Sequence, residues 1–309
     1  MIRVLISGAN GQLGQELTSA SPNGYEVISL SRADLDITNA ESVSNALSKF
    51  SPHVVINAAA YTKVDLAETE RESCHAANAD APGYLAEACH KTDAALIHVS
   101  TDFVFDGCSS RPYTVDSKTS PQSEYGRSKL LGENRIISSG LENYAIIRTS
   151  WVYSSYGSNF VKTMLRLMAS RDRLAVVGDQ VGTPTSASRL ASIIWQLVDK
   201  FKTGEAVRLN MEDRIFHWSD AGVASWYDFA VAVQREALDR GLLSRQIEVD
   251  CIPSEAYPTP AHRPHYSVMD TSKLRSLLAI GASHWSCELS KVLDVIKEDK
   301  TRREVGLDV

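Results

Sequence analysis

A tyrosine and a lysine stand four residues apart in Tyr125-Gly126-Arg127-Ser128-Lys129. On a helix that spacing puts both side chains on one face. A free phenol ionises at about pH 10, and a neighbouring ammonium favours the phenolate and lowers that value. A pair placed this way can deliver or take up a proton near neutrality. Alone the motif is weak, because packing plus a solvated charge produces the same spacing. It gains weight from Gly8-Ala9-Asn10-Gly11-Gln12-Leu13-Gly14, a Gly-x-x-Gly-x-x-Gly run between an apolar segment and a helical pattern. Glycines there allow a tight turn, let backbone approach a pyrophosphate, and let helix pack on strand, while the helix start offers N–H groups to phosphate. Thr101 follows a buried strand, at the end where open parallel sheets hold their ligands. A hydroxyl at that point can hydrogen-bond a substrate carbonyl.

Further candidates surround these three. The second strand runs out at Leu30-Ser31-Arg32 with no carboxylate at its tip. A carboxylate would bind the ribose 2′-hydroxyl of NAD; Arg32 suits a 2′-phosphate, which favours NADPH and leaves NADH open. Asp36 and Ile37 lie just beyond, within reach of an adenine. Asn57-Ala58-Ala59-Ala60-Tyr61-Thr62 ends another strand in small residues, which lets a cofactor come close to the backbone. An indole such as Trp151 suits the apolar side of a deoxysugar, and the guanidinium fork of Arg263 suits a diphosphate.

Elements that could position these groups alternate along the first half. Strands are expected at Arg3–Ser7, Tyr25–Leu30, Val54–Ala58, Ala94–Ser100 (read as apolar throughout) and Tyr144–Arg148. Helices are expected at Gln12–Ser21, Ala40–Phe50, Ala76–Lys91 and Ser123–Ser138. Such alternation means an α/β fold, a Rossmann-type doubly wound parallel sheet covered on both faces. Helices are also expected at Ser158–Ser170, Ala187–Phe201, Trp226–Arg240 and Leu289–Lys297, with a strand at Val207–Asn210. The expected division is a dinucleotide-binding domain over 1–150, rejoined by 185–211, and a smaller substrate domain from 151–184 and 212–309.

The chain has 309 residues, 43% hydrophobic and 23% charged, which suits a folded chain with a large core rather than disorder. A net charge of −6 argues against nucleic acid as the main partner. The apolar start, Met1–Ser7, is too short for a signal peptide and no run is long enough to span a membrane. Five cysteines without a Cys-x-x-Cys pair fit reduced thiols, so a cytoplasmic location is expected.

The glycine loop and the Tyr125–Lys129 pair resemble the extended short-chain dehydrogenase/reductase superfamily. Longer stretches narrow the likeness: Asn57 to Asp65, Ser100-Thr-Asp-Phe-Val-Phe-Asp-Gly107, Arg148-Thr-Ser-Trp-Val-Tyr153, Asn159-Phe160, Asp179-Gln-Val-Gly-Thr-Pro-Thr185 and Tyr257-Pro-Thr-Pro-Ala-His-Arg-Pro264. Together they resemble the dTDP-4-dehydrorhamnose reductase family over nearly the whole chain. The resemblance implies hydride transfer from NAD(P)H to C4 of a 4-keto nucleotide sugar. It implies Tyr125 as proton donor, Lys129 as holder of the nicotinamide ribose that lowers the tyrosine pKa, and Thr101 against the carbonyl. Gly11, Gln12, Leu13, Asp36, Ile37, Ala60, Tyr61 and Thr62 fall at the family's cofactor positions, and Gly8, Gly14, Arg32 and Val99 are further cofactor candidates from the residues themselves. Asp102 and Trp151 fall at positions lining the sugar pocket; Asn159 and Arg263 are further substrate-side candidates, with a structural loop arginine the equal reading of Arg263. Some family members dimerise around magnesium; Glu16 matches one such position, but a solvated helix glutamate is the favoured reading, and either a monomer or a homodimer is compatible. Other readings stay open: a different nucleotide-sugar 4-ketoreductase, or a non-catalytic subunit similar to the regulatory β subunit of methionine adenosyltransferase.

Overall fold

The computed structural model describes residues 1–202 and 214–304. Its first half alternates as β1 (Ile2–Ser7), α1 (Gln12–Ser19), β2 (Tyr25–Leu30), α2 (Ala40–Phe50) and β3 (Val54–Asn57). There follow α3 (Arg71–His75), a π-helical turn at Ala76–Asp80, α4 (Ala81–Thr92), β4 (Ala95–Thr101), α5 (Glu124–Ser138) and β5 (Tyr144–Thr149). The second half holds β6 (Val152–Tyr153), α6 (Phe160–Ser170), β7 (Arg173–Val177), β8 (Val181–Gly182), β9 (Thr185–Ser186), α7 (Ala187–Lys202) and β10 (Ile215–His217). It closes with β11 (Ala224–Ser225), α8 (Trp226–Asp239), β12 (Glu248–Ile252), α9 (Ser272–Leu278) and α10 (Trp285–Glu304).

The main sheet has six strands in the order β10-β5-β4-β3-β1-β2, each neighbouring pair parallel. Successive side chains leave a strand on opposite faces. Val4 and Ile6 therefore join Ile56, Ile97, Leu190 and Ile194 in one apolar core, while Leu5 joins Val55, Leu85, Leu96 and Ile136 in another. The first core lies under α1 and α7, the second under α2, α4 and α5. A third core, with Tyr153, Val161, Phe229 and Leu289, gathers α6, α8 and α10. The strand order reverses between β1 and β3, and in open sheets that reversal opens the ligand crevice beyond the strands' carboxyl ends.

Several expectations shift at this level. The helix foreseen at Ala76–Lys91 starts earlier, at Arg71, and is interrupted by the π turn. The final helix is longer than Leu289–Lys297 suggested, because its apolar positions pack on α8 and β9. The Val207–Asn210 strand lies outside the described residues. The chain rejoins the sheet at Ile215–His217, past residue 211, where Phe216 enters the first core. The β7–β12 pair was not foreseen. Among the described residues no helix is long and apolar enough to cross a membrane.

Candidate active site

The glycine loop closes the gap between β1 and α1. Gly8 has φ +78, and its carbonyl accepts from Gly11 N–H at 2.9 Å. A Cβ on Gly14 would stand 2.2 Å from the Gly8 carbonyl oxygen, so this position admits only glycine. Gly11 starts α1 with no side chain capping it, which leaves first-turn N–H groups for an anion. A cradle of this kind fits a dinucleotide pyrophosphate. Gln12 also bonds elsewhere, accepting from Asn159 at 2.9 Å, and Leu13 is core.

A cavity of about 520 Å³ lies beside the loop, lined by Ala9, Asn10, Ser29, Ser31, Asp34 and Tyr156. Asp34 corrects the reading of the second strand's tip. Its carboxylate folds back to accept from Ser31 N–H at 3.0 Å and Ser31 Oγ at 2.6 Å, and those bonds hold its pKa down. A carboxylate therefore stands at the tip after all, beside exposed Arg32. Asp36 accepts from Thr38 N–H and Oγ1, at 3.0 and 2.7 Å, and Ile37 belongs to the second core. Both are committed to a turn and its packing. Ala60 and Thr62 are exposed. Tyr61 between them is clamped by Asn78, whose Oδ1 accepts its N–H at 2.9 Å and whose Nδ2 donates to its carbonyl at 3.0 Å.

Tyr125 and Lys129 sit on the first turns of α5. Ser123 caps the helix, accepting from Gly126 N–H at 3.1 Å. Gly126 lets the helix touch the chain after β4: a Cβ there would meet the Phe103 carbonyl oxygen at 2.2 Å. The Phe103 ring packs edge-on against Tyr125, centroids 5.4 Å apart. Thr101, Asp102 and Tyr125 are thereby brought together, with Lys129 one turn further along α5. Thr101 Oγ1 donates to Asp102 Oδ1 at 3.0 Å, and burial pushes the Asp102 carboxyl up to about 6. Asp102 Oδ2 is buried without a hydrogen bond.

The acidified phenol foreseen from the sequence is not present in this arrangement. Burial and, further, the Asp102 charge push the Tyr125 pKa up, and only the Thr101 hydroxyl pulls it back. Lys129 Nζ instead donates to the Val99 carbonyl at 2.7 Å and lies 3.2 Å from His98 Nε2. Burial pulls its own pKa down to about 8. His98 stands inside the strand that was read as apolar throughout. Its polarity there was the available signal for a site group, and it was missed.

Trp151 adopts φ +48 and stacks on Trp226, centroids 3.5 Å apart and planes within 6°. One indole face is therefore already covered. Gly182 lies between the Trp151 ring and Ser267 Oγ, within about 3 Å of both by the position its Cβ would take. The Ser267 hydroxyl is buried without a hydrogen bond. Neither Gly182 nor Ser267 was singled out from the sequence. Asn159 departs from its expected place against substrate. It caps α6, accepting from Lys162 N–H at 3.1 Å, and its amide protons go to Ser154 O at 2.7 Å and Gln12 Oε1. Both ends of the amide are committed. Arg263 Nη2 pairs with Asp65 at 2.7 Å.

Glu16 is not a solvated helix residue. It is buried, accepts from Ser154 Oγ at 2.5 Å, and its pKa is raised by burial. Among the described residues no three His, Cys, Asp or Glu side chains gather as a metal would need. The residues present do not fit magnesium at Glu16.

Residues 2–298 match the family model for the RmlD substrate binding domain. The dTDP-4-dehydrorhamnose reductase of Aggregatibacter actinomycetemcomitans is 42% identical over 294 residues, 94% of this chain and 98% of that one. A crystal structure of the Bacillus anthracis dTDP-4-dehydrorhamnose reductase in complex with NADP has TM-score 0.87 at 34% identity, covering 96% of this chain and 100% of that one. The Clostridium acetobutylicum dTDP-4-dehydrorhamnose reductase has TM-score 0.86 at 38% identity, with 96% and 100% covered. The chain belongs to this family, the dTDP-4-dehydrorhamnose reductases of the RmlD type, which are oxidoreductases on a Rossmann-like fold.

Proposed function

We propose that this chain reduces the C4 ketone of dTDP-4-dehydro-L-rhamnose to the alcohol of dTDP-L-rhamnose, using NADPH or NADH. The observation that carries the reading is the meeting of Thr101, Tyr125 and Lys129 at the carboxyl end of β4, in a chain 42% identical to a dTDP-4-dehydrorhamnose reductase. The glycine loop and the Gly11 start of α1 hold the pyrophosphate. Arg32 favours the 2′-phosphate of NADPH, and the Asp34 carboxylate leaves the site open to the ribose hydroxyls of NADH.

The reduced nicotinamide, when bound, supplies the hydride. Tyr125 supplies the proton to the C4 oxygen. Burial holds that proton on the phenol, which suits an acid waiting for a ketone to become an alkoxide. Thr101 orients the carbonyl, with its hydroxyl held by Asp102 until substrate arrives. Lys129 holds the nicotinamide ribose, and its ammonium favours the phenolate left behind. Asp102 and Trp151 line the sugar side, and Arg263 offers its remaining N–H groups to the diphosphate. Monomer and homodimer both suit this scheme, and we place the enzyme in the cytoplasm.

The direct test follows loss of reduced-nicotinamide absorbance with the 4-keto sugar generated in situ, in a panel with other 4-keto nucleotide sugars. Wild type should consume NADPH stoichiometrically with the rhamnose precursor. Tyr125→Phe should lower turnover about 10²- to 10⁴-fold, the range for a lost general acid, with NADPH affinity nearly unchanged. Turnover by Tyr125→Phe at the wild-type rate would remove the proton-donor role.

A further inference from the structure

Two side chains on the sugar side of the site each carry a buried polar atom with no hydrogen bond: Asp102 its Oδ2, and Ser267 its Oγ. Each residue is 2% exposed. Such atoms are costly to leave unmade, and a ligand that completes them is one reason for a fold to keep them. Backbone holds Ser267 from two directions. The 265–267 segment threads between β8 and the turn after β4. Ser267 N–H donates to the Val181 carbonyl at 2.8 Å, Val181 N–H to the His265 carbonyl at 2.7 Å, and Tyr266 N–H to the Gly107 carbonyl at 3.0 Å. Tyr266 packs on the cluster of Val104, Phe105, Tyr113 and Met269, just past Asp102 in the chain. Gly182 shows where the hydroxyl points. A Cβ there would stand 2.6 Å from Ser267 Oγ and 2.8 Å from Trp151 Cε2, so only bare backbone leaves room for the hydroxyl and the indole edge side by side.

The hydroxyl also faces Asp102. Burial raises the Asp102 pKa to about 6, and the hydroxyls of Ser267 and Thr101 draw it back. Thr101 does so through its bond to Oδ1 at 3.0 Å, whereas Ser267 stands beside the carboxyl with no bond closed. At neutral pH the group is mainly a carboxylate, which can only accept, so Oδ2 calls for a donor. Ser267 Oγ has a proton to give. One alcohol completes both atoms: its proton goes to Asp102 Oδ2 and its oxygen accepts from Ser267.

We propose that Ser267 is a specificity residue: with Asp102 Oδ2 it grips the sugar hydroxyl on C3, the carbon next to the ketone, so that the site selects 4-keto sugars that keep this hydroxyl over their 3-deoxy counterparts. The assignment rests on the reductase reading, in which Thr101 meets the C4 carbonyl. Thr101 is bonded to Oδ1, so the other oxygen of the same carboxylate serves a substituent one carbon away. Of the two ring neighbours of C4, C5 bears the methyl group, and only C3 bears a hydroxyl. The Trp151 edge beside Ser267 makes the surroundings apolar, where an unmade hydrogen bond is felt most. A sugar without the C3 hydroxyl leaves both protein atoms buried and unpaired, which is how a polar pocket rejects a substrate that lacks its partner.

The test compares kcat/KM of the full chain on two dTDP sugars, dTDP-4-dehydro-L-rhamnose and its 3-deoxy counterpart, followed by loss of reduced-nicotinamide absorbance. Wild type should favour the 3-hydroxy sugar by about 10²-fold or more; sites built round a hydroxyl reach about 10⁴-fold. Ser267→Ala should cut that ratio about tenfold, the scale of one hydrogen bond, because only the 3-hydroxy sugar loses a partner. A ratio that stays put while both sugars slow alike would show that Ser267 merely packs against Trp151, and overturns the proposal. A wild-type ratio near one overturns it without any variant. If Ser267→Ala does not fold, Ser267→Cys, whose thiol is a weak donor, takes its place with the same expectation. Wild type that reduces no 4-keto nucleotide sugar removes the reductase reading and this one with it. Good turnover of dTDP-4-dehydro-L-rhamnose with an unmoved ratio removes this one alone.

Discussion

Asp102 is 2% exposed, takes the Thr101 hydroxyl on one oxygen and has no hydrogen bond on the other. Burial raises its pKa from 3.8 to about 6. The folded state thus holds a proton at pH values where the unfolded chain has released it. The stability this gives is full below the unfolded value and is lost as pH rises through about 6. Asp102→Asn should therefore remove a neutral-pH cost of up to about 3 kcal/mol. Urea unfolding from acid to neutral pH should show the wild-type midpoint falling relative to Asp102→Asn. Parallel curves would mean that the carboxyl titrates normally. The same variant should lose turnover, since the amide can no longer act as acceptor alone for Thr101.

The element that matters most for the site is α5. Two buried attachments fix it against the sheet: Lys129 to β4, and Glu133 to Arg148 of β5, with Nη2–Oε2 at 2.7 Å and side chains 4% and 1% exposed. Removing one member of such a pair strands the other charge in the interior. Arg148→Met should lower stability by about 3–5 kcal/mol, and adding Glu133→Leu should recover much of that, because two apolar residues strand nothing. Chemical denaturation of both variants checks this; equal losses would show that Glu133 finds other compensation. Gly126 supplies the second condition, the close approach to the Phe103 carbonyl. Gly126→Ala should push α5 outward and cost about 10²-fold in turnover, the scale for an ångström of misplacement. Cofactor affinity, measured by fluorescence titration, should change much less; equal losses would place the glycine in cofactor binding instead.

Across the whole molecule, the proline-rich loop meets the nucleotide-binding half at Asp65, which takes Arg263 Nη2 on one oxygen and the Ala261 N–H on the other, with the Arg263 and Asp65 side chains 30% and 37% exposed. A half-exposed pair of this kind contributes at most about 1 kcal/mol to stability. Asp65→Asn and Arg263→Gln should therefore both unfold close to wild type. Their kinetics should separate. If Arg263 also meets the substrate diphosphate, Arg263→Gln raises the KM for the nucleotide sugar about tenfold or more, the scale of a charged hydrogen bond, while Asp65→Asn changes it little. Equal effects would leave the arginine as a latch only.

Local chemistry was legible in the residues themselves. The glycine spacing, the Tyr125–Lys129 interval and the strand–helix alternation depend on neighbours a few residues apart, and the alternation is the one the parallel sheet displays. Residues meeting from distant segments were not legible. Asn159 reads as a polar group near the sugar, yet only the fold shows its amide spent on Gln12, which is 147 positions away. Glu16 reads as solvated until Ser154 arrives from the second half to bury it. His98 is one polar residue in an apolar strand; its meaning comes from register, which aligns it with Asn57 and Ser7 and lays Lys129 over it. Which groups could do chemistry, and which elements carry them, follows from the linear chain, because periodicity and turn preferences are local. The protonation states of those groups follow from the folded arrangement, because burial and hydrogen-bond partners are supplied by strands and helices remote in the chain.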